Sequence, residues 1–251
     1  LVSLEGPDYR IPWEQVKKLM RPETRAILIN SPHNPTGALL GHQDMLQLEK
    51  MLASTDVVLI SDEVYEHMTF DGFEHQSVAR YPALASRAFV IGSFGKTFHV
   101  TGWKTGFVLA PEALMAEFRK MHQYQVFAVH AASQYAFARM LQEPKHYREL
   151  SAFYQQLRDI FLAELKGSAW KFSPSEGTYF QVLHYTADAA LTDEEMAKRL
   201  SAEYKVTPVP MSGFYQYPGA CQSLRFCFAK TPEELREAAK RLVKAGEALL
   251  S

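Results

Sequence analysis

The chain has 251 residues, with 27 Lys+Arg against 28 Asp+Glu and a formal net charge of −1, a balance that excludes a generic polyanion binder. Apolar residues make up 47% and charged residues 22%, which excludes disordered and collagen-like classes and leaves a globular chain of one large or two modest domains. No stretch approaches the roughly 18 uninterrupted apolar residues of a spanning helix, so no membrane insertion is expected.

The opening Leu1-Val-Ser-Leu reads like the middle of an α/β protein. Residues 26–29, 57–60 and 89–91 are short apolar runs bounded by polar residues and turn formers, the pattern of strands covered on both faces in a parallel sheet. Between the first two, Met45, Leu48 and Leu52 recur at helical spacing. Strand, helix, strand and a further strand make an α/β unit. Residues 111–141 read as one long helix with Pro111 in its first turn, and Leu150, Phe153, Leu157, Ile160, Phe161 and Leu165 mark a second. After Gly167 the texture becomes α+β. Residues 178–183 and 224–228 read as strands, and two helices open on capping boxes, Thr192 with Glu195 and Thr231 with Glu234. A domain boundary is expected near Glu143, giving a large domain over 1–143 and a small one over 144–251. Cys221 and Cys227 match neither a disulfide framework nor paired zinc ligands, and no signal-peptide pattern opens the chain, so a reducing, cytoplasmic location is the expectation.

Four segments are candidates to carry chemistry. Ser31-Pro-His-Asn-Pro-Thr-Gly37 follows a buried strand and forms an irregular turn at the carboxyl edge of the sheet, where α/β proteins bind ligands; its bland reading is a plain turn with Asn34 capping its own backbone. Ser61-Asp-Glu-Val-Tyr65 puts carboxylates at the end of the next strand. With Phe94-Gly-Lys-Thr97 it invites a nucleotide-hydrolase reading, but a P-loop needs a glycine five positions before its Gly-Lys pair, and Val90 stands there. Lys96 remains, just past a strand. In a partly desolvated site a lysine can lose its proton and attack a carbonyl to form a Schiff base, whereas a lone loop lysine is ordinarily a surface charge. Parallel strands would bring Asn34, Asp62, Tyr65, Ser93, Lys96 and Lys104 to one sheet edge. In residues 224–228, Leu224, Phe226 and Phe228 share a face and leave Arg225 on the other, where its bland reading is a surface ion pair. His67 and His75 have no metal-ligand spacing, so a surface or core role is expected and no metal.

Taken in order, Asn34-Pro-Thr-Gly, Ser61-Asp-Glu-Val-Tyr, Ser93-Phe-Gly-Lys-Thr-Phe-His-Val-Thr-Gly-Trp-Lys-Thr-Gly, Glu176-Gly-Thr-Tyr-Phe and Leu224-Arg-Phe resemble a class I/II, fold-type I pyridoxal phosphate (PLP) aminotransferase. The wording is most similar to the methionine and kynurenine/glutamine–phenylpyruvate aminotransferase branch. The resemblance implies an incomplete large domain with a mainly parallel sheet plus a C-terminal α+β domain. It implies that Lys96 holds PLP covalently and moves the substrate's α-proton, and that Asp62 keeps the pyridine nitrogen protonated. Asn34 and Tyr65 would bond the cofactor's 3-hydroxyl, Ser93 and Lys104 would contact its phosphate, and Arg225 with Asn34 would bind the substrate carboxylate. The implied reaction exchanges an amino group between a methionine, aromatic or glutamine-like donor and a 2-oxo acid. No nucleic-acid or membrane partner is implied, and the full-length protein is expected to be a homodimer.

Three departures stand out. Many relatives have arginine where this chain has Lys104, which keeps the charge and loses the two-pronged fork. An Asn-x-Pro-like turn expected around residues 129–133 is absent. Relatives also have an N-terminal stretch, preceding the position of Leu1, that completes the phosphate site, an aromatic stack on the pyridine and the dimer interface. This chain alone is therefore expected to bind PLP weakly or to be inactive. Two other readings stay open: a PLP carbon–sulfur β-lyase, and a non-catalytic effector domain of a winged-helix transcription regulator, against which the intact motif set counts.

Overall fold

The computed structural model describes residues 1–186, 191–216 and 221–250. The chain divides into two compact units, one of Trp13–Pro32 and Leu39–Ser151, the other of Leu1–Pro12, His33–Ala38 and Ala152–Ser251. We call them the sheet unit and the C-terminal unit. Glu143 lies inside the sheet unit, and two earlier segments of the chain belong to the C-terminal one.

The sheet unit runs α1 (Trp13–Leu19), β1 (Ala26–Asn30), α2 (His42–Leu52), β2 (Val58–Asp62), α3 (Pro82–Ala85), β3 (Ala88–Ser93), α4 (Phe94–Thr97), β4 (Gly106–Leu109), α5 (Glu112–Gln125), α6 (Ala131–Met140) and α7 (Lys145–Arg148). Its sheet has the order β1-β2-β3-β4, parallel through β3 and closed by antiparallel β4. Helix α2 buries Met45, Leu48 and Leu52, the residues picked out by spacing, and opens at Gly41, whose N–H donates to Asp44. Burial alternates along β2 and β3, while Leu28 of β1 is 67% exposed, so the expectation of strands covered on both faces fails at β1 in this chain. A Cβ added to Gly92 would lie 2.1 Å from the Phe107 ring, its register partner on β4; glycine there lets the aromatic ring lie over the strand.

The expected single helix over 111–141 is two. Val126 and Phe127 N–H both donate to His122 O at 2.9 and 3.0 Å, and Phe127 takes φ 64°, the left-handed residue that ends many helices. The apolar spacing continues through the break, which is why periodicity alone merged α5 with α6. Pro111 is the cap before α5 and not a residue of its first turn.

The C-terminal unit contains most of α8 (Leu150–Leu165), then β5 (Phe180–His184), α9 (Asp193–Tyr204), β6 (Val209–Pro210), β7 (Ser223–Cys227) and α10 (Pro232–Leu249). Its three strands are antiparallel in the order β5-β7-β6. Both expected capping boxes form: Thr192 and Thr231 accept from the N–H of Glu195 and Glu234, whose carboxylates accept from the threonine N–H groups. The first strand begins at Phe180 instead of residue 178, because Thr178 sits at φ 68° and turns the chain into β5. Trp170, 2% exposed, donates its indole N–H to Leu242 O at 2.8 Å and so ties the loop before β5 to α10. Among the described residues no helix is long and apolar enough to cross a membrane, and no group of His, Cys, Asp and Glu could hold a metal.

Candidate active site

In the sheet unit the carboxyl ends of neighbouring parallel strands present their side chains together. Asp62 ends β2, paired in register with Ile91 of β3, and Ser93 ends β3. The chain there passes directly into α4. Ser93 caps that turn through its hydroxyl, which accepts from Lys96 N–H at 3.3 Å, and Thr97 Oγ1 returns a bond to Ser93 O at 3.0 Å. A four-residue helix does not hold itself in water. Here Phe94 and Phe98 anchor it, with ring centroids 5.1 and 5.7 Å from Phe137 of α6, and Phe94 also meets Phe107 at 5.2 Å. Lys96 is thereby carried on a fixed turn, its Nζ 5.7 Å from the centroid of the Tyr65 ring.

Asp62 is half-buried and held from both sides. Its carbonyl accepts from Asn30 Nδ2 at 2.9 Å and Ser31 N–H at 3.1 Å, and its carboxylate accepts from Val64 N–H at 3.2 Å. Burial pushes the Asp62 carboxyl above its ordinary value; the Val64 N–H and the Lys96 ammonium pull it part of the way back, and the neighbouring Glu63 pushes it further up. Tyr65, 2% exposed, follows in the same turn. Lys104 is exposed and left-handed at φ 52°, closing the 3-10 turn Thr101–Trp103.

The C-terminal unit contains the other two sequence-singled residues. Arg225 lies on β7 opposite Val182 of β5 and Val209 of β6, between buried Leu224 and Phe226, so its side chain points to the other face, as the strand alternation predicts. Its guanidinium carbon lies 4.0 Å from the centroid of the Phe180 ring and 5.3 Å from that of Phe214. Nη1 donates to Asn34 Oδ1 at 2.7 Å. Asn34 is brought there by a turn flanked by cis Ser31–Pro32 and Asn34–Pro35 bonds, closed by His33 N–H to Ala38 O at 2.9 Å. Gly37 carries that turn at φ 75°. A Cβ on it would meet Ser175 Cβ at 2.5 Å, and its carbonyl accepts from Gly177 N–H at 2.8 Å.

The Ser175 loop is itself fixed from the core. Arg158, 3% exposed, donates to Ser175 O at 2.7 Å, and Gln181 Oε1 accepts from Ser175 N–H at 3.0 Å. Burial pushes the imidazole of His33 in the same turn down to about 4.

The sequence reading passed over Asn30, Phe214, Arg158 and Gln181, gave no role to Glu63 and Phe180 inside the motifs it quoted, and gave His75 only a surface or core role. Glu63 and Phe180 had a signal, as unassigned members of Ser61-Asp-Glu-Val-Tyr65 and Glu176-Gly-Thr-Tyr-Phe180. The rest act through contacts between distant segments, which no local spacing encodes. Cys227, two residues after Arg225 on β7, is exposed.

The chain is similar to known proteins in sequence and in fold. The chain is 41% identical over 242 residues to the methionine aminotransferase of Escherichia coli strain K12, covering 96% of this chain and 63% of that protein. It is 32% identical to the kynurenine–oxoglutarate transaminase of Dictyostelium discoideum, covering 94% of this chain and 60% of that one. Among solved structures it superposes with a TM-score of 0.93 on an Escherichia coli protein with an identified methionine aminotransferase function, at 41% identity over 96% of this chain and 64% of that chain. It superposes with a TM-score of 0.88 on the N-succinyldiaminopimelate aminotransferase of Mycobacterium tuberculosis, at 31% identity over 97% and 64%. The chain therefore spans less than two thirds of the length of these relatives. Residues 3–242 match the family model for aminotransferase class I and II. With an α/β sheet ending in a lysine and a carboxylate, and with that match over nearly its whole length, the chain belongs to the class I and II aminotransferases, a pyridoxal phosphate-dependent family.

Proposed function

We propose that the full-length protein transfers an amino group between an amino acid of the methionine, aromatic or glutamine-like kind and a 2-oxo acid. The observation that carries this reading is Lys96 on its short helix after β3, with the Asp62 carboxylate at the end of adjoining parallel β2, near enough for the lysine's charge to act on it. The donor set fits PLP: an amine suited to an aldehyde, and a half-buried carboxylate that favours sharing a proton with a ring nitrogen. When bound, PLP supplies an electron-withdrawing ring that accepts the electron pair left when the substrate loses its α-proton.

The protein's residues do the rest. Lys96 Nζ would hold the cofactor and, once free, would take the proton from the substrate's α-carbon as general base and give it back as general acid. Asp62 keeps a proton on the ring nitrogen, Tyr65 bonds the ring hydroxyl, and Ser93 and Lys104 hold the phosphate. In the C-terminal unit, Arg225 takes the substrate carboxylate with two parallel N–H donors, oriented by Asn34 and by the Phe180 and Phe214 rings. A homodimer belongs to the same reading, supported by Tyr124, Phe127 and Tyr135, which are 86%, 81% and 80% exposed. Two free cysteines support a reducing, cytoplasmic location.

The test is to add PLP to the purified protein, reduce with borohydride and map the labelled peptide, beside a Lys96→Ala control. Label on Lys96, and 2-oxo acid formed from methionine or phenylalanine only when an acceptor 2-oxo acid is present, is the expected result. Label elsewhere overturns the lysine assignment, and ammonia released with cleavage of a carbon–sulfur bond overturns transamination.

A further inference from the structure

Behind the turn that joins Asp62 to Tyr65 lies a buried charged network that the chemistry above does not use. Glu63, whose side chain is 2% exposed, accepts at Oε2 from His75 Nε2 at 2.7 Å, with the His75 side chain 11% exposed. Glu63 Oε1 accepts from the Ser61 hydroxyl at 2.9 Å and from Val78 N–H at 3.0 Å. Its own N–H donates to Ile91 O at 2.8 Å, and its carbonyl accepts from Glu66 N–H at 2.9 Å. One carboxylate thus ties together β2, the loop carrying His75, the 3-10 turn Val78–Arg80 and, through the backbone, β3. An ionised group this deep is costly unless it is paired and hydrogen-bonded, and fixing the core alone would be served as well by an apolar side chain. A charge retained directly between Asp62 and the Val64-Tyr65 step points to the site.

We propose that Glu63, held by His75, is a positioning residue that fixes the Asp62–Tyr65 turn and supplies a second negative charge behind Asp62. The proposal rests on the reading of Asp62 as the partner of the cofactor's ring nitrogen. The groups that face the network are Asp62, Ser61 and Glu66 on its own segment, His67 and His75 from the following loop, Ser77 beside the 3-10 turn, and Lys96 through Asp62. Among them Glu63 is the carboxylate held below its ordinary value: burial works against it, but the His75 bond and charge and the Val78 N–H together outweigh burial. His75 Nδ1 is buried and has no hydrogen-bond partner among the described residues, so Nε2 is the edge through which this histidine acts.

The experiment compares Glu63→Gln, His75→Gln and Asp62→Asn with the unsubstituted full-length protein, reading PLP affinity by absorbance titration and the pH midpoint of the bound cofactor's visible band. Glu63→Gln keeps the volume and loses the charge, so PLP affinity is expected to fall about tenfold and the band midpoint to move down, because a cation near the site loses a stabilising charge. His75→Gln leaves the Ser61 and Val78 bonds in place but removes the group that holds the carboxylate, so it is expected to lower PLP affinity by less than Glu63→Gln and to shift the midpoint; it carries the test if Glu63→Gln does not fold. A role confined to stability would lower the melting temperature without moving the midpoint. If both folded variants keep the band midpoint and bind PLP within twofold of the unsubstituted protein while Asp62→Asn does not, the positioning role is overturned and the Asp62 reading stands. If Asp62→Asn is also unchanged, the Asp62 reading falls and the proposal falls with it.

Discussion

The two units hold their charged groups by different means. In the sheet unit the backbone places them: Asp62 is the last residue of a parallel strand, Ser93 the cap of the next turn, and Lys96 three residues on, so strand register alone brings them to one edge. In the C-terminal unit Arg225 takes its direction from strand alternation, but its partners Asn34, Phe180 and Phe214 come from widely separated parts of the chain. Backbone-placed groups are legible in a sequence and tolerant of remote change. Groups oriented by side chains depend on packing that a single distant residue can upset.

The largest expected effect tests the first half of that contrast. Lys96→Ala should leave the fold intact and abolish the borohydride-trapped adduct, with transamination falling by on the order of a thousandfold or more, because no other amine of the sheet unit takes its place. Circular dichroism beside peptide mapping checks both parts.

The turn that presents Asn34 should make the C-terminal unit sensitive to acid. The imidazole of His33 is half-buried and pushed from 6.5 down to about 4, so between those values the unfolded chain binds a proton that the folded chain does not. Stability is fully present above pH 6.5 and is lost as pH falls towards 4, by up to about 3 kcal/mol. Urea unfolding at pH 7, 5 and 4 should show that slope, and His33→Gln should flatten it. Gly37→Ala should cost about 2 kcal/mol in the same assay, since the residue combines φ 75° with a 2.5 Å approach to Ser175 Cβ. A loss below about 0.5 kcal/mol would mean that the turn is not pinned as the packing implies.

Arg225→Lys should raise KM for the amino donor about tenfold with a smaller change in kcat, because a lysine keeps the charge and loses the planar fork that stacks on Phe180 and reaches Asn34. Equal loss in both constants would assign Arg225 a role beyond binding. Thr231→Ala should have the smallest effect, about 1 kcal/mol of stability from the lost α10 cap, with no change in KM. A change in KM there would show that helix caps in the C-terminal unit reach its binding residues.

Local signals carried much of the fold. The apolar runs located β1, β2 and β3 to within two residues, the Met45-Leu48-Leu52 spacing gave the buried face of α2, and both threonine capping boxes formed as written. The same periodicity failed at residues 126–130, because a single left-handed residue ends α5 without interrupting the apolar spacing. Asp62, Ser93, Lys96 and Arg225 were legible as candidates because each stands at a strand end, a cap or an alternating position, and such positions follow from backbone geometry.

By itself the sequence determined the type and order of the main elements, the ordered motifs of the family and the residues that could bear charge at the sheet edge. These depend on spacings of two, three or four residues, which backbone geometry converts directly into direction. Only the tertiary structure decided that the turn His33–Ala38 belongs to the C-terminal unit, that Glu63 is bonded to His75, and that aromatic rings from α4, β4 and α6 hold the Lys96 turn. Those outcomes are set by which distant surfaces exclude water together and which buried charges find partners, and neither is a property of any local stretch of chain.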